Sequence, residues 1–156
     1  MIRELSGRVT FRVFKRGILS RVAHDLQLSM DSVKAKLEDD RIAAELSLNS
    51  FVVDGALRGG RVISGVISPK DTRAILKNMH SDVLHTEAHP AALLEGKLDQ
   101  TAGVFQGVLT LRGRPVEIIF PVRVGQGSFD GAVEITPTLW GIAPFRALMG
   151  AIQLQD

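Results

Sequence analysis

The chain has 156 residues, 45% of them hydrophobic and 23% charged, with a formal net charge of +2. That length suits one domain with one sizeable core, and the weak, scattered positive charge, with no basic run interleaved with aromatics, argues against nucleic acid. There is no cysteine, which excludes disulfides and thiolate metal sites. No apolar stretch approaches the roughly 18 residues of a membrane span. The opening M-I-R-E-L-S-G-R-V-T runs straight into a strand pattern with no charged-then-apolar leader. A cytoplasmic location is therefore expected, with a periplasmic one as the alternative if a signal has been removed.

From Ser6 to Lys15, Val9, Phe11 and Val13 alternate with Arg8, Thr10 and Arg12, the pattern of a half-buried strand. Arg16 to His24 is irregular. Asp25 to Leu37 alternates again but changes phase: Leu26, Leu28 and Met30 are even, Val33, Ala35 and Leu37 odd. One extra residue near Asp31-Ser32 reconciles the two halves, which predicts a β-bulge. Asp39-Asp40 reads as a turn. Pairing Glu38 with Arg41 sets Leu37 opposite Ile42, Val33 opposite Leu46 and Lys34 opposite Glu45, so apolar phase and charge pairing agree. Counting the bulge, Met30 then faces Leu48.

Glycines at 55, 59, 60 and 65 break residues 51 to 67 into loop and one short strand. Ser68-Pro69-Lys70-Asp71 predicts a helix start, with Ser as N-cap, Pro at the first helical position and an acid at the third. Ile75, Leu76, Met79 and Val83 give that helix one apolar stripe, and it should stop before Pro90.

A meander follows. Leu94, Gly96 and Leu98 point one way, then Phe105, Leu109 and Leu111, then Val116, Ile118, Phe120, Val122 and Val124, then Phe129, Gly131, Val133 and Ile135. Gly113-Arg114 suits a two-residue II′ turn. That turn pairs Arg112 with Pro115, Leu111 with Val116, Leu109 with Ile118, Gly107 with Phe120 and Phe105 with Val122. Val124 with Phe129 sets Val122 by Gly131 and Phe120 by Val133. Leu139 to Leu148 is mixed and holds the single Trp, Trp140, and Gly150, Ile152 and Leu154 form a last strand. About eight antiparallel strands with short hairpins and one covering α-helix predict a mainly β, closed up-and-down barrel. First and last strands share a pattern and could pair, removing the edges. With no repeat or linker, residues 1–156 read as one domain.

Chemistry is sparse. His85 and His89 are four apart, but Pro90 ends the helix before that spacing can place two ligands on one face. His80 reads as a helix-surface or C-terminal residue. His24-Asp25 could form an acid–base or ligand-orienting pair, or simply satisfy each other. There is no G-x-S-x-G elbow and no strand–Gly-loop–helix unit. The inward glycines Gly96, Gly107 and Gly131 mark either curvature or an internal cavity, and an eight-stranded interior is either packed full or holds one small ligand.

The opening G-R-V-T-F-R-V, the A-H-D-L at 23–26, the helix D-T-R-A-I-L-K-N-M-H-S-D-V-L with His89-Pro90, the G-V-L-T-L-R-G at 107–113 with Pro121-Val122, and the L-W-G-I-A-P-F at 139–145 together resemble the YceI-like family over nearly the whole chain. The resemblance implies a bacterial, soluble, lipocalin-like barrel enclosing a tunnel for the tail of a polyisoprenoid or fatty-acyl amphiphile. The expected function is non-catalytic binding, transport or storage. Phe11, Val13, Leu28, Leu46, Leu94, Leu109, Ile118, Phe120 and Val133 would line the tunnel, with Trp140 and Phe145 near a mouth. The chain has no Tyr, so the polar anchor would be His24, with Arg58, Arg61 or Trp140 as alternatives. No catalytic residue, metal or cofactor is expected. The expected partner is a long-chain hydrophobic small molecule, with transient membrane contact and a monomer or homodimer. The competing readings are a metal-dependent hydrolase or lyase using His24, Asp25, His85 and His89, and an interaction module whose barrel is merely a packed core.

Overall fold

The computed structural model describes residues 2–13, 25–142 and 147–155, the last stretch by its backbone. Ten strands share one antiparallel sheet: β1 (Ile2–Val13), β2 (Asp25–Glu38), β3 (Arg41–Ser47), β4 (Val52–Arg58), β5 (Arg61–Ile63), β6 (Ala91–Asp99), β7 (Val104–Leu111), β8 (Arg114–Gly125), β9 (Ser128–Ile135) and β10 (Ala147–Gln155). Among the described residues one α-helix, α1 (Pro69–Asn78), stands between β5 and β6.

β1 pairs with β2 along its whole length and with β10 on its other edge. The pairings β1-β10-β9-β8-β7-β6-β3-β2 therefore return to β1, an up-and-down circuit of eight strands with β4 and β5 branching from β2. The circuit is not zipped throughout. β8 and β9 pair only from Val122↔Gly131 to Gly125↔Ser128. Beyond that the two strands part, and the sheet is open along this seam. The expected Phe120–Val133 pair is thus not made.

Local signals placed several elements correctly. β2 and β3 pair as Glu38↔Arg41, Leu37↔Ile42, Lys34↔Glu45 and Val33↔Leu46. The bulge lies where the phase changes, since Gly7 pairs with Val33 but Val9 with Met30. Asp31 and Ser32 are exposed there between buried Met30 and Val33. The β2–β3 ladder ends at Leu46, and Leu48 begins a 3-10 turn instead of facing Met30 across a ladder. Ser68 caps α1, its hydroxyl accepting from the Asp71 N–H at 3.1 Å. Ile75, Met79 and Val83 join the core.

Two further expectations are corrected. Residues 52–63 form a hairpin, not loop with one strand: β4 and β5 pair through Arg58↔Arg61, with Gly59 and Gly60 at φ 60° and 77° supplying the turn. The β7–β8 turn is Arg112-Gly113, not Gly113-Arg114. Leu111 pairs with Arg114, Leu109 with Val116, Gly107 with Ile118 and Phe105 with Phe120. Both central residues have positive φ, 53° and 74°, which is the I′ geometry. Arg112 is held in that left-handed conformation by its guanidinium donating to the Gly141 carbonyl at 2.8 Å. Moving the turn by one residue moves each pairing by two, so every side chain keeps its face.

Candidate functional site

Inward side chains from most strands meet in one core. Val9, Leu26, Leu28, Met30, Leu46, Leu48, Leu109 and Trp140 are fully buried within it. Of the expected lining, Phe11, Val13, Leu28, Leu46, Leu94, Leu109 and Phe120 are buried, while Ile118 and Val133 are only partly so. Phe145 and His24 lie outside the described residues.

The inward glycines mark close strand approach and not open space. A Cβ at Gly107 would stand 2.7 Å from the Gly96 Cα and 2.7 Å from the Phe105 ring. At Gly131 it would meet the Phe120 ring and the Pro121 carbonyl at 2.9 Å. Phe105 and Phe120 themselves stack with centroids 5.0 Å apart. The free volume near them, bounded by Ile42, Leu94, Leu98, Phe105, Phe120 and Phe129, is about 30 Å³, room for about one water.

Packing is less complete along the seam. Val116, Ile118 and Val122 on β8 and Val133 on β9 face inward yet are only partly buried. Ile119 on the outer face of β8 is 61% exposed, and Leu139, on the 3-10 turn packed against β8, is 57% exposed. Trp140, on that same turn, is not a surface residue at a mouth. It is 1% exposed, with its indole N–H donating to the Leu109 carbonyl at 2.9 Å. That bond satisfies the one polar atom of the ring, so the rest can pack as hydrocarbon.

At the end where β1 finishes, Phe11 packs on Phe51 (centroids 5.3 Å apart), and Phe51 meets the His80 ring edge-on at 6.3 Å. His80 lies on a π turn, Met79–Val83, that continues α1. Its Nδ1 is 2.9 Å from the hydroxyl oxygen of Thr86, a buried residue. From the sequence His80 reads as a helix-surface or C-terminal residue, because no pattern in the chain reveals that residues 51 and 86 meet it.

The other polar candidates do not assemble. His85 is exposed with φ 50°, and His89 is half-buried against Gly113. Arg58 and Arg61 flank the β4–β5 turn at an exposed position. Among the described residues no three His, Asp or Glu side chains are grouped to hold a metal. The extended polar network lies on the outer wall. There the Ser29 hydroxyl donates to Asp54 at 2.8 Å, Gln27 donates to Asp54 at 2.9 Å, and Arg8 donates to Ser29 at 3.3 Å. Among the described residues no helix is long and apolar enough to cross a membrane.

A family model described as the YceI-like domain matches residues 3–155. No curated protein matches the chain significantly in sequence. Among solved structures, the chain is similar to a polyisoprenoid binding domain from Saccharophagus degradans implicated in plant cell wall breakdown. The TM-score is 0.58 at 11% identity, covering 98% of this chain and 93% of that one. It is similar also to Burkholderia cenocepacia BcnA, with TM-score 0.59, 11% identity and 96% of each chain covered. A mutant CJ YceI protein with a monobromobimane guest gives TM-score 0.54 at 11% identity, over 83% and 84% of the two chains. At that identity the likeness establishes the fold.

Proposed function

The chain belongs to the YceI-like family, and from that premise we propose that it is a non-catalytic binding protein that carries or stores a long-chain amphiphile of polyisoprenoid or fatty-acyl type. The observation that carries this reading is the seam. Val116, Ile118 and Val133 pack against the core but are only partly buried, so apolar surface remains beside the unpaired stretch of β8 and β9. A tail laid along them would remove apolar area from water at roughly 25 cal/mol per Å². The description of one structural neighbour as a polyisoprenoid binding domain supports the same class of ligand.

The seam also supplies the way in. The space beside Phe105, Phe120 and Phe129 has about 30 Å³ free, so a tail must part side chains to enter there. Between β8 and β9, above the Val122↔Gly131 pair, no ladder hydrogen bonds hold the walls together. Spreading the barrel there forfeits no β8–β9 ladder hydrogen bond. Spreading it at a paired seam would forfeit backbone hydrogen bonds, each costly to leave unmade in an apolar setting.

Native mass spectrometry and organic extraction of the purified chain test the proposal, with displacement of cis-parinaric acid as a quantitative readout. Ile118→Lys and Val133→Lys should each weaken that probe about tenfold or more, because a charge would lie against the tail. If nothing apolar co-purifies and the lysine variants bind the probe as the parent does, the barrel is a packed interaction module.

A further inference from the structure

We propose that the barrel rim bearing the β4–β5 and β7–β8 turns docks on an anionic lipid bilayer, with the open end of the seam facing it. The inference rests on the binding function proposed above, because it names the surface from which the amphiphile is taken. In an up-and-down circuit alternate connections share a rim. One rim therefore holds the end of β1, the β4–β5 hairpin, the segment from β5 through α1 to β6, the β7–β8 turn and the Pro137–Trp140 turn after β9. Its two hairpin tips are Arg58-Gly59-Gly60-Arg61 and Arg112-Gly113-Arg114, with four arginines and no acid. Arg58, Arg61 and Arg114 are exposed and Arg112 is half-buried. Arg58 and Arg61 are direct cross-strand partners, a like-charge pair that is unfavourable in water and is relieved against a polyanion. Arg12 joins them, its guanidinium donating to the Gly60 carbonyl at 3.4 Å. Among the described residues the acids at this rim, Asp25, Asp71, Asp82, Glu87 and Glu134, are nearly matched by Arg12 and the three cations of α1. Asp54, lower on the wall, is engaged by Gln27, Ser29 and Arg8. The tip arginines therefore stand in excess. The far rim differs: its turns carry Glu38-Asp39-Asp40-Arg41, Asp99 and the uncharged Gly125–Ser128. Charge among the described residues is thus polarised along the barrel, and the negative potential of an anionic bilayer attracts one rim only.

Exposed apolar side chains and the seam share this rim. Leu139 is exposed on a turn tied to the β7–β8 tip, where Arg112 donates to the Gly141 carbonyl at 2.8 Å. Val62, also exposed, follows Arg61 on β5. Cations beside exposed hydrocarbon suit a bilayer interface, where the guanidinium groups meet phosphates and the apolar side chains enter the acyl boundary. β8 and β9 pair only from Val122↔Gly131 to Gly125↔Ser128, which is their far-rim end. The stretch of β8 without a β9 partner, Arg114 to Pro121, therefore runs up to the docking rim, and it carries Val116 and Ile118. Docked in this way, the seam opens toward the bilayer, and an apolar tail passes from lipid to barrel without crossing water.

The test is co-sedimentation of the full chain with vesicles of phosphatidylcholine, alone or mixed with phosphatidylglycerol. The parent should bind the anionic vesicles and be released when salt shortens the Debye length to about 3 Å. One arginine near such a surface is worth about a fivefold change in affinity. Arg58→Gln with Arg61→Gln should thus weaken binding about thirtyfold, and Arg114→Gln about fivefold. Leu139→Ser should weaken it as well. Arg41→Gln on the far rim removes the same charge from the chain and should change nothing, which separates a docking face from net charge. All five positions are exposed, and circular dichroism checks each fold. Equal sedimentation with neutral and anionic vesicles, or a loss in Arg41→Gln as large as in Arg114→Gln, overturns the docking face. Binding of cis-parinaric acid without vesicles is measured alongside. A parent that takes the probe but ignores anionic vesicles overturns the docking alone, and one that takes no probe overturns the binding function on which it rests.

Discussion

Replacing Gly107 by Ala probes how closely β6 and β7 approach. The added Cβ would run into the Glu95 carbonyl oxygen and stand 2.7 Å from the Gly96 Cα and 2.7 Å from the Phe105 ring, against about 3.5–4.0 Å for a comfortable carbon pair. The ring can turn, but the Gly96 backbone is held by its neighbours in a ladder that runs from Leu93↔Thr110 to Asp99↔Val104. Relief requires parting two strands in the paired wall, and overpacking of this kind costs about 1–3 kcal/mol. We place Gly107→Ala near the upper end because backbone, not a flexible side chain, stands in the way. For a chain of this size that corresponds to a fall in Tm of roughly 4–12 °C. Urea unfolding followed by circular dichroism measures it directly. Adding Phe105→Leu should recover only part of the loss, since it frees the ring contact and not the backbone one. A Gly107→Ala variant as stable as the parent would refute the reasoning, and would mean that the glycine borders open space.

Trp140→Phe removes the indole donor to the Leu109 carbonyl and should cost about 1–3 kcal/mol in urea unfolding; no loss would show that the carbonyl is satisfied without it. Ser68→Ala should destabilise by about 1 kcal/mol through loss of the N-cap bond to Asp71, read as a shift of the urea midpoint. Ser29→Ala removes the hydroxyl that accepts from Arg8 and donates to Asp54, leaving only their 4.0 Å ion pair, and should cost about 1 kcal/mol with no change in amphiphile affinity, because the network lies on the outer wall. Ile118→Lys and Val133→Lys should weaken cis-parinaric acid binding while lowering stability less than the same change at fully buried Leu109.

The chain determined by itself those features that rest on local chemistry. Alternation marks Val9, Phe11 and Val13 as inward, and the phase change at Asp31-Ser32 shows as a bulge. Ser68-Pro69-Lys70-Asp71 places the helix start, and complementary charges at Lys34 and Glu45 confirm one register. The inward-facing set was legible in the same way, because one face of each strand is apolar. What stayed hidden needed tertiary contacts. A period of two cannot tell Gly107 opposite Phe120 from Gly107 opposite Ile118, since both put the same residues inside. The choice fell to the turn, where Arg112 is held by a carbonyl from Gly141, 29 residues away. Nor can alternation show that β8 and β9 part after one short ladder, that Trp140 bonds Leu109, or that Phe51 and Thr86 both reach His80. Those are distances between segments remote in sequence. They arise from how the paired wall and the helix at its end share one core.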